Sequence, residues 1–353
     1  MQLHIFNPEH DIALATNQDK FVAPHAGREM RADMGFLPAL WAEDGDLVLV
    51  HDVEAALERV RHLRAYAHDV LFVTLADLPA MPEGITVSPW GWDRALCRQL
   101  TDAGLAPALL PDEGRLADIR AMSHRCWAAT HLLATLTEGH ADRVGEAQYL
   151  THTSQLPQGG APYVLKAPWS SSGRGLRYVD GITPHQEGWT RNVIARQGGV
   201  MCEPYYHKIK DFAAEFEVAA DGVRYCGLSV FKAVNGAYAG NIMASEREKA
   251  EIIGQYIAFE VVEQAIADLT QLLSDQLVGR YTGPLGIDMM VVEHHGVKVH
   301  PCVEMNLRRT MGHVALSLNH ADTDPRRLMQ VTYEGGGYHL RVVTTAENCY
   351  PVW

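Results

Sequence analysis

Two carboxylates and one amide oxygen lie in a single predicted β-hairpin. The stretch is rich in β-branched residues and predicts strands at Ile287–Glu293 and Val297–Asn306. Because side chains alternate between the faces of a strand, Glu304 and Asn306 share one face. Folding of the hairpin brings Asp288 within roughly 5–8 Å of them. These hard oxygen ligands suit Mg²⁺, and the alternative is a solvated polar sheet face.

The surroundings of these carboxylates favour a metal site. Asp288 and Glu304 occur in otherwise apolar strands, where an unpaired carboxylate is costly. Arg308 follows Asn306 by two residues, and its guanidinium could bind a phosphate through two hydrogen bonds. The hairpin therefore predicts a site for a metal and a phosphate.

A second stretch combines an apolar strand, one lysine and a Ser/Gly loop. Lys166 ends the apolar run, and the loop covers Ser170–Gly175. Backbone N–H groups and hydroxyls in such a loop can bind phosphates, although this composition is also common in hairpin turns. The loop matches neither the Walker A pattern nor GxGxxG. The lysine is the stronger signal, because a charge in an apolar strand needs a partner.

The first 115 residues predict an α/β domain. Short apolar strands are expected at Leu3–Phe6, Asp46–His51 and Val70–Thr74, with a helical pattern at Ala55–Ala67. Alternating strands and helices are typical of a parallel sheet. Ligands of such sheets bind beyond the carboxyl ends of the strands, where the polar loop after the first strand lies.

Helices and one cover loop are predicted further along the chain. Leu116–Leu136 and Glu246–Leu277 have helical patterns. Ala233–Ser245 is rich in Gly, Asn and Ala and predicts a loop long enough to act as a mobile cover. The tail from Asp322 predicts a short helix and terminal strands.

Composition excludes several function classes. The formal net charge of −13 argues against non-specific nucleic-acid binding and against an anionic membrane surface. Six scattered cysteines without a CxxC pair predict reduced thiols rather than a disulfide or zinc framework. We find no signal-peptide pattern and no apolar run near the ~18 residues of a membrane span, so a cytoplasmic protein is expected.

The order of these parts resembles the ATP-grasp superfamily over about residues 116–314. The parts that carry the resemblance are, in order, the strand lysine Lys166, the loop Ser170–Gly175, the bend Glu203-Pro204-Tyr205-Tyr206, the Gly-Ile-Asp strand with Asp288, and the strand end Glu304-Met305-Asn306-Leu307-Arg308. The resemblance implies an α/β (α+β) ATP-grasp fold with an N-terminal Rossmann-like domain and a two-lobed domain of antiparallel sheets. The implied boundaries are 1–115 for the pre-ATP-grasp domain, 116–200 for the first lobe with the phosphate loop, and 201–353 for the second lobe with the metal site.

The resemblance also implies ligand roles. Lys166 would contact the α- and β-phosphates, and Arg308 would steady the transferring phosphoryl group. Asp288, Glu304 and Asn306 would bind Mg²⁺, with Mn²⁺ as an alternative metal. The ATP-binding set that it implies is Arg125, Lys166, Ser170, Ser171, Ser172, Gly173, Gly175, Glu203, Tyr205 and Asp211. Within that set, Glu203 and the Tyr205 amide would lie beside the adenine, and either Asp211 or Glu215 would reach the ribose.

The implied reaction is ATP-dependent joining of a carboxylate to an amine, or less often to a thiol, through an acyl phosphate. The resemblance implies small-molecule carboxylate and amine substrates and a homodimer, since related enzymes are often dimers. A small-molecule kinase and a nucleotide-binding module without turnover are the alternatives. A histidine metalloenzyme is disfavoured, because the 18 histidines show no HExxH spacing.

Candidate substrate contacts are polar residues near the first strand and near the metal hairpin. They are Asn7, His10, Arg28 and His313. For each of them a structural role in a cap, a turn or the core is an equally good interpretation.

Overall fold

The computed structural model describes residues 1–82, 84–170, 175–234, 237–318 and 327–344. The strands are β1 (Gln2–Ile5), β2 (Leu47–Leu49), β3 (Leu71–Val73), β4 (Thr86–Pro89), β5 (Gln148–Leu150), β6 (Tyr163–Lys166), β7 (Leu176–Val179), β8 (Val200–Pro204), β9 (His207–Ala219), β10 (Gly222–Ser229), β11 (Phe231–Val234), β12 (Ala237–Met243), β13 (Gly283–Glu293), β14 (Val297–Asn306), β15 (Arg327–Glu334) and β16 (Gly337–Thr344). The α-helices are α1 (His10–Thr16), α2 (His25–Met34), α3 (Val53–Val60), α4 (Arg94–Asp102), α5 (Glu113–Met122), α6 (Arg125–Ala128), α7 (Ala134–Thr137), α8 (Pro184–Gln197), α9 (Glu246–Gly254), α10 (Phe259–Leu277) and α11 (Met311–Ser317).

The chain forms two compact units. Unit 1 contains Met1–Arg120, Tyr238–Ser245 and the described part of Arg308–Trp353. Unit 2 contains Ala121–Ala237 and Glu246–Leu307. The C-terminal strands thus belong to the same compact unit as the N-terminal segment. This division differs from the predicted one, in which three domains follow one another along the chain. The division into a pre-ATP-grasp domain and two lobes stays a prediction.

The parallel sheet expected at the N-terminus is confirmed. Its strand order is β3–β2–β1–β4, with Leu3 beside Leu47 and Ile5 beside Pro89. Every residue of β2 is buried, as is usual where helices cover both faces of a parallel sheet. The carboxyl ends of all these strands meet at one edge of unit 1.

The core of unit 1 covers both faces of this sheet. On one face Phe6 and Val48 pack with residues of α2, α11, β15 and β16. On the other face Leu3, Ile5 and Leu47 pack against α4. A buried hydrogen bond joins β1 to the turn before β2, where His4 Nε2 lies 3.0 Å from Asp46 Oδ2.

The prediction of a cover loop at Ala233–Ser245 was wrong. Within the described residues, most of this segment is strand, in β11 and β12. In unit 1, β12 pairs antiparallel with β15, and β15 pairs with β16. Asn241, whose side chain accepts from Tyr238 Oη at 2.5 Å, is fully buried. The prediction relied on the glycine content of the segment. In β12, however, a glycine is required at position 240, because a Cβ there would lie 2.2 Å from the Met329 carbonyl oxygen.

Unit 2 contains two antiparallel sheets, as predicted. One has the order β5–β8–β6–β7 and the other β10–β9–β13–β14. The predicted hairpin is present as β13 and β14, with β13 beginning four residues earlier than expected. His295 has φ of 53° in the turn, followed by Gly296 at 104°, which gives the hairpin its tight reversal.

Both long helical predictions are interrupted in the structure. The segment Leu116–Leu136 breaks at Ser123 and His124, and a π-helical turn separates α6 from α7. The segment Glu246–Leu277 breaks between α9 and α10. The buried side of α10 includes Val262, Leu269 and Leu273. Periodicity alone does not locate such breaks, since apolar residues continue on both sides of them.

Two composition-based expectations can be compared with the described residues. Cys97, Cys126, Cys202, Cys226 and Cys302 are free thiols, as predicted, and Cys349 lies outside the described residues. No helix in the described part of the chain is both long and apolar enough to cross a membrane.

Candidate functional site

The predicted metal ligands lie together on the β13–β14 hairpin of unit 2. Asp288 pairs directly with Glu304, and Asn306 pairs with Gly286 two residues along the ladder. Directly paired side chains in antiparallel strands have Cβ atoms about 4.5–5.5 Å apart. All three side chains are half-buried. The hairpin thus presents two carboxylates and one amide oxygen at its end.

The ladder is irregular next to this set. Its register shifts between Asp288 and Met290, because Met290 pairs with His300 whereas Asp288 pairs with Glu304. The extra residues in β14 include Pro301, which has no N–H to donate to the ladder. The sequence predicted that side chains alternate regularly between the two faces of β14. This alternation is interrupted before Glu304.

Arg125 connects the β13–β14 hairpin to the start of the Ser/Gly loop. Its guanidinium donates to Glu304 Oε1 at 2.5 Å, to Ser170 Oγ at 2.8 Å and to the Ser170 carbonyl at 3.3 Å. A further bond goes to the Ala167 carbonyl. Arg125 begins α6 directly after the helix break, where His124 Nδ1 accepts from the Cys126 amide. The residue directly after the break thus bonds both to β14 and to the segment that follows β6.

Lys166 has the partner that its position in an apolar strand required. Its Nζ lies 2.6 Å from Glu203 Oε2, and the two side chains are only 8% and 10% exposed. The pairing of β6 with β8 sets this contact, because Val164 lies opposite Glu203 and Lys166 is two residues further on the same face. Lys166 Nζ also donates to the Val303 carbonyl at 3.4 Å.

The phosphate-loop prediction falls partly outside the described residues. Ser171, Ser172 and Gly173 are among those not described. Ser170 and Gly175 border the gap and lie against each other, since a Cβ on Gly175 would be 2.1 Å from Ser170 Oγ. Only glycine permits this approach.

Two of the predicted nucleotide contacts are already hydrogen-bonded. The Tyr205 amide donates to the Pro162 carbonyl at 3.0 Å, so a purine contact by this amide would have to replace that bond. The next amide, that of Tyr206, is the alternative. Asp211 is half-buried with Oδ2 2.5 Å from Lys208 Nζ, whereas Glu215 is 1% exposed. Asp211 is therefore the more accessible of the two ribose candidates.

His300 and Cys302 are buried residues of β14, the strand that contains Glu304, and sequence reasoning gave neither a role. His300 is fully buried, and neither ring nitrogen has a hydrogen-bond partner among the described residues. Burial, with a smaller contribution from the Lys166 charge, lowers the His300 pKa to about 3. Burial raises the pKa of the Cys302 thiol to about 12. Both side chains are therefore neutral at ordinary pH.

Arg308 belongs to unit 1 and has a carboxylate partner there. Its Nη2 lies 2.8 Å from Asp11 Oδ2, and its Nε lies 3.1 Å from both carboxylate oxygens. The pair is mostly buried. The sequence indicated Asp11 only as one of several polar residues after β1.

Two of the predicted substrate residues, Asn7 and His10, have structural contacts. Asn7 Nδ2 donates to the Gly91 carbonyl at 2.9 Å, and His10 Nδ1 lies 3.4 Å from Asp93 Oδ2. Both side chains are buried and hold the loop after β4 to the loop after β1.

The other two predicted substrate residues differ in exposure. His313 is buried and takes part in the capping box of α11, with Nδ1 3.0 Å from Thr310 Oγ1. Arg28 is exposed and donates to the Ala23 carbonyl at 2.5 Å. The structure therefore brings His313 into a helix cap and leaves Arg28 open to solvent.

The metal-ligand set is a fit for a hard cation by its donor chemistry. Mg²⁺ is commonly held by one or two carboxylates together with substrate phosphates and water. The described residues contain no group of three or more His, Cys, Asp or Glu side chains arranged to hold a metal by themselves. The hairpin set of two carboxylates and one amide has the donor types that a hard cation takes in proteins.

Comparison with solved structures identifies the fold. An ATP-grasp superfamily protein from Archaeoglobus fulgidus superposes with a TM-score of 0.51 at 14% identity, covering 98% of this chain and all of that one. The chain has the ATP-grasp fold. No family model and no curated protein matches the sequence.

Two further solved structures resemble the chain less closely. The N5-carboxyaminoimidazole synthetase from Staphylococcus aureus, complexed with ADP, has a TM-score of 0.49 at 11% identity and covers 94% of this chain and 82% of its own. The N5-carboxyaminoimidazole ribonucleotide synthetase from Thermus thermophilus has a TM-score of 0.46 at 15% identity, with 94% and 83% coverage. The fold assignment rests on the superposition with the Archaeoglobus fulgidus protein.

Proposed function

We propose that the protein is an ATP-dependent ligase that joins a small-molecule carboxylate to an amine and releases ADP and phosphate. The observation that carries the proposal is the convergence in unit 2 of Asp288, Glu304 and Asn306 with the buried cations Arg125 and Lys166. Oxygen ligands beside fixed positive charges are what phosphoryl transfer requires, since its catalysis depends mainly on charge neutralisation and positioning.

The proposed chemistry has two steps. A carboxylate oxygen of the substrate attacks the γ-phosphorus of ATP, the bond to the β-phosphate oxygen breaks, and ADP leaves. The amine then attacks the acyl carbon of the resulting acyl phosphate, loses a proton, and displaces phosphate, which retains the former carboxylate oxygen. No side-chain nucleophile is required.

The chain's own residues have distinct roles in this proposal. Asp288, Glu304 and Asn306 would hold Mg²⁺, or Mn²⁺ in its place, and the metal would neutralise charge on the β- and γ-phosphates. Lys166 would bind the α- and β-phosphates and stays oriented by Glu203. Arg125 would exchange its bonds to Ser170 for bonds to a phosphate.

Other assignments belong to the same proposal. Arg308, two residues after Asn306, would steady the transferring phosphoryl group after leaving Asp11. The undescribed loop residues Ser171, Ser172 and Gly173 would donate to phosphate oxygens together with Gly175. A cytoplasmic location and a homodimer stay predictions from the sequence.

ADP release tests the proposal. We expect the purified protein with Mg²⁺-ATP to form ADP only when a pooled carboxylate and a pooled amine are both present. Asp288→Asn and Glu304→Gln should each lower this rate about 100-fold or more, since a metal supplies several kcal/mol of transition-state stabilisation. Glu260→Gln, an exposed change on α10, is the matched control and should keep full activity.

Two outcomes would contradict the ligase proposal. ADP formation with one acceptor alone, accompanied by a stable phosphorylated product, would identify a kinase. Tight ATP binding with equal, near-zero turnover in the parent and in both variants would identify a binding module.

A further inference from the structure

One of the predicted metal ligands is bound by a buried arginine. Glu304 Oε1 accepts from Arg125 Nη2 at 2.5 Å, and the two side chains are 26% and 7% exposed. Asp288 lies directly opposite Glu304 in the β13–β14 ladder. A metal held by these two carboxylates therefore has to share Glu304 with a guanidinium group or to displace that group from it.

Arg125 is fixed by other bonds besides the one to Glu304. Its Nη1 donates to Ser170 Oγ at 2.8 Å and to the Ala167 carbonyl, and its Nη2 also donates to the Ser170 carbonyl at 3.3 Å. The Arg125 amide donates to the Pro168 carbonyl at 3.3 Å. These bonds hold the arginine to the segment after β6, so its position does not depend on Glu304 alone.

The positive charge of Arg125 opposes the binding of a second cation at Glu304. A guanidinium is always protonated, and its hydrogen bond neutralises the carboxylate that a divalent cation would use. Like charges a few ångströms apart repel, and the repulsion is stronger at a buried site, where the effective dielectric constant is low. Phosphate oxygens are alternative acceptors for a guanidinium. A nucleotide phosphate at Arg125 can thus replace Glu304 as the acceptor and offset the charge that repels the metal.

We propose that Arg125 and the metal compete for Glu304, and that phosphate binding by Arg125 releases this carboxylate to the metal. Metal and nucleotide then bind cooperatively, and each raises the affinity of the protein for the other, since binding couplings are reciprocal. The competition rests on the nucleotide site of the ligase proposed above. It gives that site an order of assembly, in which the metal-ligand set is complete only when a phosphate is bound by Arg125.

Binding of Mn²⁺ to the full chain without nucleotide, followed by the electron paramagnetic resonance signal of the free ion, tests the competition. We expect Arg125→Met to bind Mn²⁺ about tenfold tighter or more than the parent does, because a charge-assisted hydrogen bond no longer occupies Glu304. The gain should disappear in the double variant with Glu304→Gln, which lacks the carboxylate. Glu260→Gln, the exposed change on α10, should leave Mn²⁺ binding unchanged.

Binding of ATP without metal provides the reciprocal test. Glu304→Gln replaces the charged partner of Arg125 with a neutral amide. Calorimetric titration with ATP in excess EDTA should therefore show binding about tenfold tighter or more than in the parent. This variant keeps Arg125 and its bonds to the segment after β6, so it stays informative even if Arg125→Met fails to fold.

A purely orienting role of Arg125 predicts a change of opposite sign. If Arg125 only held Glu304 in place for the metal, Arg125→Met would bind Mn²⁺ more weakly than the parent. That result, or unchanged Mn²⁺ affinity, would overturn the competition even if the protein forms ADP from an acid and an amine. Unchanged metal-free ATP binding in Glu304→Gln would overturn it as well. Tighter Mn²⁺ binding in Arg125→Met that requires Glu304 would support it, even if no acid and amine stimulate ADP release.

Discussion

Replacement of His300 by leucine should make the protein less sensitive to acid. In the folded chain the imidazole is fully buried and its pKa is lowered to about 3, first by burial and then by the Lys166 charge. The folded-state pKa lies below the ordinary value of 6.5, so the unfolded chain binds a proton more readily. The neutral ring therefore contributes its full stability above about pH 6.5 and loses it as the pH falls toward 3.

The size of this effect follows from the two pKa values. Each pKa unit between folded and unfolded states is worth about 1.36 kcal/mol. Between about pH 7.5 and about pH 5, protonation of this one group in the unfolded chain should lower the free energy of unfolding by about 2 kcal/mol. In His300→Leu this part of the pH dependence should be missing.

Urea unfolding at several pH values measures the difference. His185→Leu is the matched control, since His185 is exposed at the start of α8, and it should keep the parent's pH dependence. NMR titration of labelled histidines provides a direct check on the same group. A His300 imidazole that titrates near pKa 6.5, or identical pH dependence in the parent and His300→Leu, would refute the reasoning.

Three further predictions concern the same unit. Lys166→Met leaves Glu203 buried without its cation, so we expect the free energy of unfolding, measured with urea, to fall by about 3–5 kcal/mol. The double variant with Glu203→Gln should regain part of this loss. An unchanged free energy of unfolding in Lys166→Met would contradict the buried pair. Gly175→Ala should weaken calorimetric ATP binding, because its Cβ would displace Ser170 from a position 2.1 Å away, and unchanged affinity would contradict a phosphate role for this loop. Cys302, with its pKa raised to about 12, should escape alkylation at mildly alkaline pH in the folded protein, whereas mass spectrometry showing rapid labelling would contradict its burial.

Local patterns made the β13–β14 hairpin predictable. Two β-branched runs and a short turn specify an antiparallel pair, and alternation within β14 places Glu304 and Asn306 together. The structure confirms Asp288 opposite Glu304. The parallel sheet of unit 1 was predictable for the same reason, since its strands are short apolar runs separated by helical patterns.

Contacts between distant segments were not predictable in the same way. The sequence indicated that Lys166 needs a partner, but only the β6–β8 register selects Glu203. The bonds of Arg125 to Glu304 and Ser170 depend on a helix break that apolar periodicity does not reveal.

Transfer of oxygen-18 from the carboxylate substrate to inorganic phosphate tests the ligase claim most directly. Acyl-phosphate formation leaves one carboxylate oxygen on the phosphate that the amine displaces. With a labelled carboxylate, an amine and Mg²⁺-ATP, we predict that the released phosphate carries the label, as measured by mass spectrometry. Unlabelled phosphate released together with the joined product would contradict activation of the carboxylate by phosphorylation.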